Sequence, residues 1–261
     1  MTTRIIAALI ALPVVILPVY LGGVWCTLLF LAVTLAAGHE FYHLMETGGY
    51  RPIQMVGLLW LVPLVLSGWR PDMFPLPAVL VVGLIVTLAA TLPHPEDPLG
   101  TWMSTSAVAL YLGVVASQTL ALRQLPLGLW WLVFGLAVTW LNDAAAYFTG
   151  VTLGRHKLWI RISPKKTWEG TIGGWIAATV AAVLVVWLSP LNTPLWIAAI
   201  VGMICGVLGL LGDLSISMLK RQVGLKDSGH FLPGHGGILD RLDSLLFVLP
   251  FVATLVLLQY L

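Results

Sequence analysis

The chain has 261 residues, of which 59% are hydrophobic and only 9% charged, with a formal net charge of +2. So few charges cannot clothe a water-soluble surface, which excludes an ordinary soluble globular domain, and so slight a net charge argues against a nucleic-acid partner. Cys26 and Cys205 both lie in apolar stretches, which argues against a disulfide framework or a cysteine-held metal.

Between the bunched charges run apolar stretches of about 17 to 23 residues, the length a helix needs to cross a hydrocarbon layer about 30 Å thick. In chain order, spans are predicted at 5–22, 24–45, 53–69, 75–92, 103–122, 128–149, 171–188, 195–216 and 239–260. The expected fold is therefore all-α and polytopic, with about nine transmembrane helices. Runs such as Val79 to Leu92 and Leu245 to Leu257 are apolar on every side, without the in-out alternation of barrel strands. Trp25, Trp69, Trp102, Trp130, Trp131 and Trp187 fall near predicted span ends, where an amphipathic ring suits the headgroup layer; packing is the expected role for about half of the tryptophans.

The first segment resembles a signal peptide in its Arg4 and apolar run, but Pro13, Pro18 and the lack of a small-x-small cleavage site favour a mature span. Nine spans place Arg4, Arg51, Arg155, Lys157, Arg161, Lys165, Lys166, Lys220, Arg221, Lys226 and Arg241 on one face of the membrane and only Arg70 and Arg123 on the other. The positive-inside rule makes the first face cytoplasmic, together with the N-terminus. A compact chain of this kind, without a transit peptide, is expected in a bacterial plasma (inner) membrane, in contact with its lipids.

Residues 1–135 read as a transmembrane scaffold joined by short Pro- and Gly-containing turns, and 136–261 as the catalytic region, with polar cytoplasmic loops at 150–170 and 217–239. In the eighth predicted span, Gly202 and Gly206 have the small-xxx-small spacing that lets a second helix approach closely.

An ionisable side chain at membrane depth costs about 2.5–3.5 kcal/mol on insertion scales, so Asp143 and Asp213 require a reason, and function is the default one. If the eighth span stays helical to about 221, Asp213, Ser217 and Lys220 share one face, which suits a metal-bound phosphate. Asp240 and Asp243, with Arg241 beside them, open the last span. Carboxylates are favoured there by the helix dipole alone, but Gly234-His235-Gly236-Gly237 just before them offers backbone N–H groups to a phosphate. Two hard carboxylate positions, Asp213 and Asp240, among several cations are what nucleotidyl transfer requires, and magnesium suits such oxygen ligands. No phosphate-binding lysine loop or dinucleotide fingerprint is present.

The run Ser217-Met218-Leu219-Lys220-Arg221, then Lys226-Asp227, then Leu232-Pro233-Gly234-His235-Gly236-Gly237-Ile238-Leu239-Asp240-Arg241-Leu242-Asp243, resembles the signature of the phosphatidate cytidylyltransferase family. Asn142-Asp143 with Ala146-Tyr147, Gly154-Arg155, and Ser163-Pro164-Lys165-Lys166-Thr167-Trp168-Glu169-Gly170 look like the family's upstream pieces. The resemblance is specific over 136–261 and general before it. It implies a Mg²⁺-dependent nucleotidyltransferase, with a second cation, that makes CDP-diacylglycerol and pyrophosphate from CTP and phosphatidate, and it suggests a homodimer. It assigns metal ligation to Asp213 and Asp240, with Asp243 as a further candidate. Lys220, Arg221 and Lys226 are implied to bind phosphates, and Ser163, Lys165, Lys166 and Thr167 to contact nucleotide or lipid phosphate. Asp143, Ser217, Asp227, His235, Gly236, Gly237 and Arg241 complete the implied substrate site.

Two rival readings have their own residues. His39-Glu40-Phe41-Tyr42-His43 matches H-E-x-x-H, the pattern of an intramembrane zinc protease with Glu40 as base, although the Asp-Gly pairing of such proteases is absent. The reading preferred here puts Glu40 and Tyr42 at the membrane interface at the cytoplasmic end of the second span. A transporter would use Asp143 and Asp213 as ion relays, but the polar residues cluster in loops on one face rather than along a path across the membrane.

Overall fold

A computed structural model describes residues 14–94, 96–229 and 236–259. Most of the first predicted span lies outside these residues, and its described part, 14–21, is helical. The elements that follow are α1 (Gly23–Thr47), α2 (Gln54–Ser67), α3 (Leu76–Ala89), α4 (Pro98–Gln124), α5 (Gly128–Thr152), β1 (Lys157–Trp159), β2 (Ser163–Thr167), α6 (Trp168–Leu188), α7 (Leu195–Gln222), α8 (Leu239–Leu242) and α9 (Leu245–Gln259).

Among the described residues, α1, α4, α5, α6 and α7 are long and apolar enough to cross a membrane, whereas α2, α3 and α9 are apolar but shorter. At 1.5 Å per residue the shorter helices reach only about 21 Å, less than the hydrocarbon thickness. Punctuation explains the shortfall. Gly68 closes α2 and Pro75 opens α3. The predicted span at 239–260 is broken at Asp243 and Ser244, where the Asp243 carboxylate accepts the Ser244 N–H and interrupts the helix. The protein is thus a helical membrane protein. Its loop at 150–170 is not irregular: β1 and β2 form an antiparallel hairpin with Lys157 opposite Thr167 and Trp159 opposite Ser163.

The chain divides into two compact units, residues 1–124 with 222–240 and residues 125–221 with 241–261. The first break falls between Gln124 and Leu125, at the end of α4, and the stretch 222–240 groups with the N-terminal helices.

In the first unit α4 packs against α1 and α2, and α3 lies against α2 and α4. Buried hydroxyls are mixed into an apolar core, and apolar side chains also cover the outside. Ser104, Thr105, Ser106, Ser117 and Thr119 of α4 are buried, while Val81, Val82, Ile85 and Leu88 of α3 face outward. Apolar side chains gain little from leaving lipid for protein, so close packing and interhelical hydrogen bonds hold the helices together. Tyr42, expected at the interface, is fully buried and donates to the Thr105 carbonyl at 2.7 Å, and the Ser67 and Ser117 hydroxyls pair at 2.7 Å.

In the second unit α5 packs along α6, and α9 lies on α5. A side chain at Gly202 would come 2.5 Å from Ala182 Cβ of α6 and one at Gly206 3.0 Å from Trp175, so the small-xxx-small spacing does bring α7 against α6. Of the tryptophans near predicted span ends, Trp25 and Trp187 are exposed and Trp131 is buried.

Candidate active site

The second unit gathers its polar groups around Asp213 on α7. Lys166 of β2 reaches Asp213 Oδ2 with its ammonium at 2.7 Å, and the Ser217 hydroxyl donates to Oδ1 at 3.1 Å. The i, i+4 spacing of Asp213 and Ser217 thus produces the shared face that was expected. Lys220, two turns along, is buried, and the guanidinium of Arg221 donates to the Ile162 carbonyl at the hairpin turn. Asp143 on α5 and Asp243 after α8 lie close enough to Asp213 for the three carboxylates to act on one another electrostatically. The close approach depends on Gly212: a Cβ there would sit 2.3 Å from the Asp243 carbonyl oxygen, so only glycine lets the 243–244 turn lie against α7 at this level.

The hairpin is fixed from both sides. Thr167 is buried as the N-cap of α6, its hydroxyl accepting the Gly170 N–H at 3.2 Å. Glu169 accepts from the Arg155 and His156 backbone N–H groups and pairs with the His156 ring at 2.6 Å. With its base held, β2 turns Lys166 towards Asp213, while Lys165 is exposed and Ser163 half-buried.

The first unit holds the ends of the signature stretch. Lys226 and Asp227 are exposed, and Gly236 has a left-handed φ of 81° beside Asp227 and Asp240. Oδ2 of Asp240 accepts the Ser228 N–H at 2.9 Å and the Gly237 N–H at 3.1 Å. Glu40 of α1 accepts from the Ser228 hydroxyl, the Ile238 N–H and the Leu239 N–H at 3.0, 2.9 and 2.9 Å. Of the 234–237 run whose backbone donors were expected to cradle a phosphate, the Gly237 N–H is engaged by Asp240, and the Ile238 and Leu239 N–H groups that follow are engaged by Glu40. His235 lies outside the described residues, and Arg241 is exposed at the start of the 241–261 segment.

The H-E-x-x-H helix does not make a zinc site. His39 and His43 are exposed, His39 pairing with Gln54 at 2.5 Å, whereas Glu40 points the other way and is only 7% exposed. Among the described residues no three His, Cys, Asp or Glu side chains converge as a ready metal cage. Zinc in structural and catalytic sites takes three or four protein ligands, so the arrangement does not fit it. Magnesium fits better, because it is commonly held by one or two carboxylates together with water and substrate phosphates, and Asp143, Ser217 and Asp243 offer oxygen near Asp213 beside the Lys166 ammonium.

Glu40 is the residue that sequence reasoning missed, having been taken for an interface residue or a protease base. A carboxylate inside an apolar helix was the available signal, the same one that singled out Asp143 and Asp213.

Carboxylates late in α5 and α7, one of them paired with Lys166, thus belong to a helical membrane protein. Residues 2–259 match the model of the cytidylyltransferase family, and the chain belongs to that family. It is 36% identical over 248 residues to the phosphatidate cytidylyltransferase of Brucella suis biovar 1, covering 93% of this chain and 88% of that protein. It is 47% identical over 123 residues to the phosphatidate cytidylyltransferase of Staphylococcus haemolyticus and 44% identical over 145 residues to that of Bacillus subtilis. In these two alignments the chain spans about half the length of the relative, 47% and 54%.

Proposed function

We propose that the protein transfers the cytidylyl group of CTP to phosphatidate, releasing pyrophosphate and leaving CDP-diacylglycerol in the membrane. The observation that carries the reading is the likeness to a protein named phosphatidate cytidylyltransferase over 93% of the chain; the Lys166–Asp213 pair, with Asp143 and Asp243 nearby, supports it.

In the reaction a phosphatidate phosphate oxygen attacks the α-phosphorus of CTP. A new P–O bond forms as the bond from the α-phosphorus to the bridging oxygen breaks, and the electron pair leaves with pyrophosphate. Phosphatidate is already ionised near neutral pH, so little acid-base help is needed. The chain must instead hold two polyanions together, which calls for cations at fixed positions. Lys166, Lys220 and Arg221 of the second unit and Lys226 of the first are assigned to the phosphates, with Lys165, Ser163 and Arg241 as further contacts. Asp213 and Asp243, and Asp240 by the family resemblance, are the residues that would hold Mg²⁺ and a second cation. Such cations supply neutralisation of the triphosphate charge. Asp143 and Ser217 orient the neighbours of Asp213, and Asp227 and Gly236 shape the loop beside Asp240.

The reading places the protein in a bacterial plasma membrane with the 150–170 and 217–239 segments cytoplasmic; the bacterial relatives support the first part and the Lys and Arg count the second. A homodimer, which the family resemblance implies, should give twice the chain mass when detergent-solubilised protein is weighed by light scattering.

The direct test incubates the purified protein with labelled CTP, phosphatidate and Mg²⁺. CDP-diacylglycerol is expected from the wild type and from His39→Ala and His43→Ala, and none from Asp213→Asn or Asp240→Asn. Loss of product in the histidine variants, with zinc bound by the wild type alone, would return the protease reading.

A further inference from the structure

Glu40 lies in a helix that sequence reading treats as scaffold, yet its hydrogen-bond partners are 188 to 199 residues away in the chain. It is 7% exposed, and a buried carboxylate is costly unless its oxygens are satisfied. Oε2 accepts from the Ser228 hydroxyl and the Leu239 N–H, and Oε1 accepts from the Ile238 N–H. Ser228 and Ile238 bracket the segment 229–237, so one carboxylate fastens both ends of it. Asp240 crosses the same base, its Oδ2 receiving the N–H groups of Ser228 and Gly237.

The sequence is shaped to admit this side chain. A Cβ on Gly237 would fall 2.3 Å from Glu40 Oε2 and one on Gly229 2.6 Å from Oε1. These glycines leave room for the carboxylate, and the Gly237 N–H is held by Asp240. The clasp also fixes Asp240 itself, because the backbone that Glu40 grips at 238 and 239 leads directly into it.

We propose that Glu40 is a positioning residue for the reaction: by clasping the two ends of the signature segment it sets the placement of Asp227 and Asp240. This rests on the cytidylyltransferase reading for its effect on turnover, but the clasp can be measured without substrate. Displacing a reacting group by about 1 Å can cost about a hundredfold in rate, so a loosened clasp should be visible in kcat.

The experiment uses the full chain in detergent with Glu40→Ala, Glu40→Gln and, as a control on the same helix, the exposed Glu46→Gln. Hydrogen exchange at the 238 and 239 amides should accelerate by about tenfold or more in Glu40→Ala and less in Glu40→Gln, which keeps one acceptor, with no change in Glu46→Gln. In the folded fraction kcat should fall in the same order, with the KM for phosphatidate nearly constant and Glu40→Gln recovering part of what Glu40→Ala loses. If Glu40→Ala does not fold, Glu40→Gln against wild type carries both readouts. Unchanged exchange would overturn the clasp, and faster exchange with wild-type kcat would overturn the positioning role. A wild type without cytidylyltransferase activity would instead refute the functional reading, leaving the exchange result to judge the clasp alone.

Discussion

Two buried or half-buried carboxylates, Asp213 in the second unit and Glu40 in the first, are set in opposite ways. Asp213 is met by a side-chain ammonium and a hydroxyl, groups able to exchange partners when a cation or phosphate arrives. Glu40 is met mostly by backbone N–H groups, which cannot move without the chain moving. Removing charge at Asp213 should therefore act on chemistry: Asp213→Asn is expected to abolish product while the protein still elutes and melts like the wild type. Lys166→Ala leaves Asp213 without its ammonium partner and should lower kcat/KM by about tenfold or more, since a charge-assisted contact of this kind is worth about 1.5–3 kcal/mol; steady-state assays at saturating phosphatidate measure it. Thr167→Ala removes the N-cap of α6 and should destabilise by about 1 kcal/mol, read as a lowered melting temperature in detergent. Asp213 was legible in the sequence because a carboxylate late in an apolar helix has no cheap explanation. Glu40 was equally anomalous, but the histidines flanking it offered a familiar motif, and nothing local in the sequence names partners almost two hundred residues away.

Helices were the readable elements, because uninterrupted apolar runs leave few other solutions in lipid. The long spans α1, α4, α5, α6 and α7 all match predicted stretches. What the apolar count could not show was where a single residue breaks a run, as Asp243 does by bonding the following N–H, so that the last predicted span is two helices. The hairpin was hidden for a different reason. Ser163-Pro164-Lys165-Lys166-Thr167 is polar, contains proline and has no apolar alternation, so it carries no strand signal. It becomes a strand because Glu169 and the Thr167 cap fix where it enters α6. The glycines of α7 read as packing residues in the sequence, and Gly212 turns out also to set the distance between two acidic groups. Gly212→Ala should push the 243–244 turn away and cut turnover by about tenfold or more, a larger effect than a one-methyl change elsewhere on α7 would have. An assay comparing Gly212→Ala with Ala199→Gly checks this.

Taken together, the chain is a membrane protein of the cytidylyltransferase family whose described residues form two compact units. The signature stretch 222–240 groups with the N-terminal helices, and Glu40 shows why: the first unit supplies the carboxylate that holds that stretch in place. Under the proposed function, activity should depend on a cation and follow oxygen chemistry. EDTA should remove activity, Mg²⁺ should restore it, and a zinc-selective chelator should leave it intact. The most direct measurement is the formation of CDP-diacylglycerol from labelled CTP and phosphatidate by purified wild-type protein beside purified Asp213→Asn. Product that needs Mg²⁺ in the first and is missing in the second is the predicted result; no product from the wild type, or equal product from both, would contradict it.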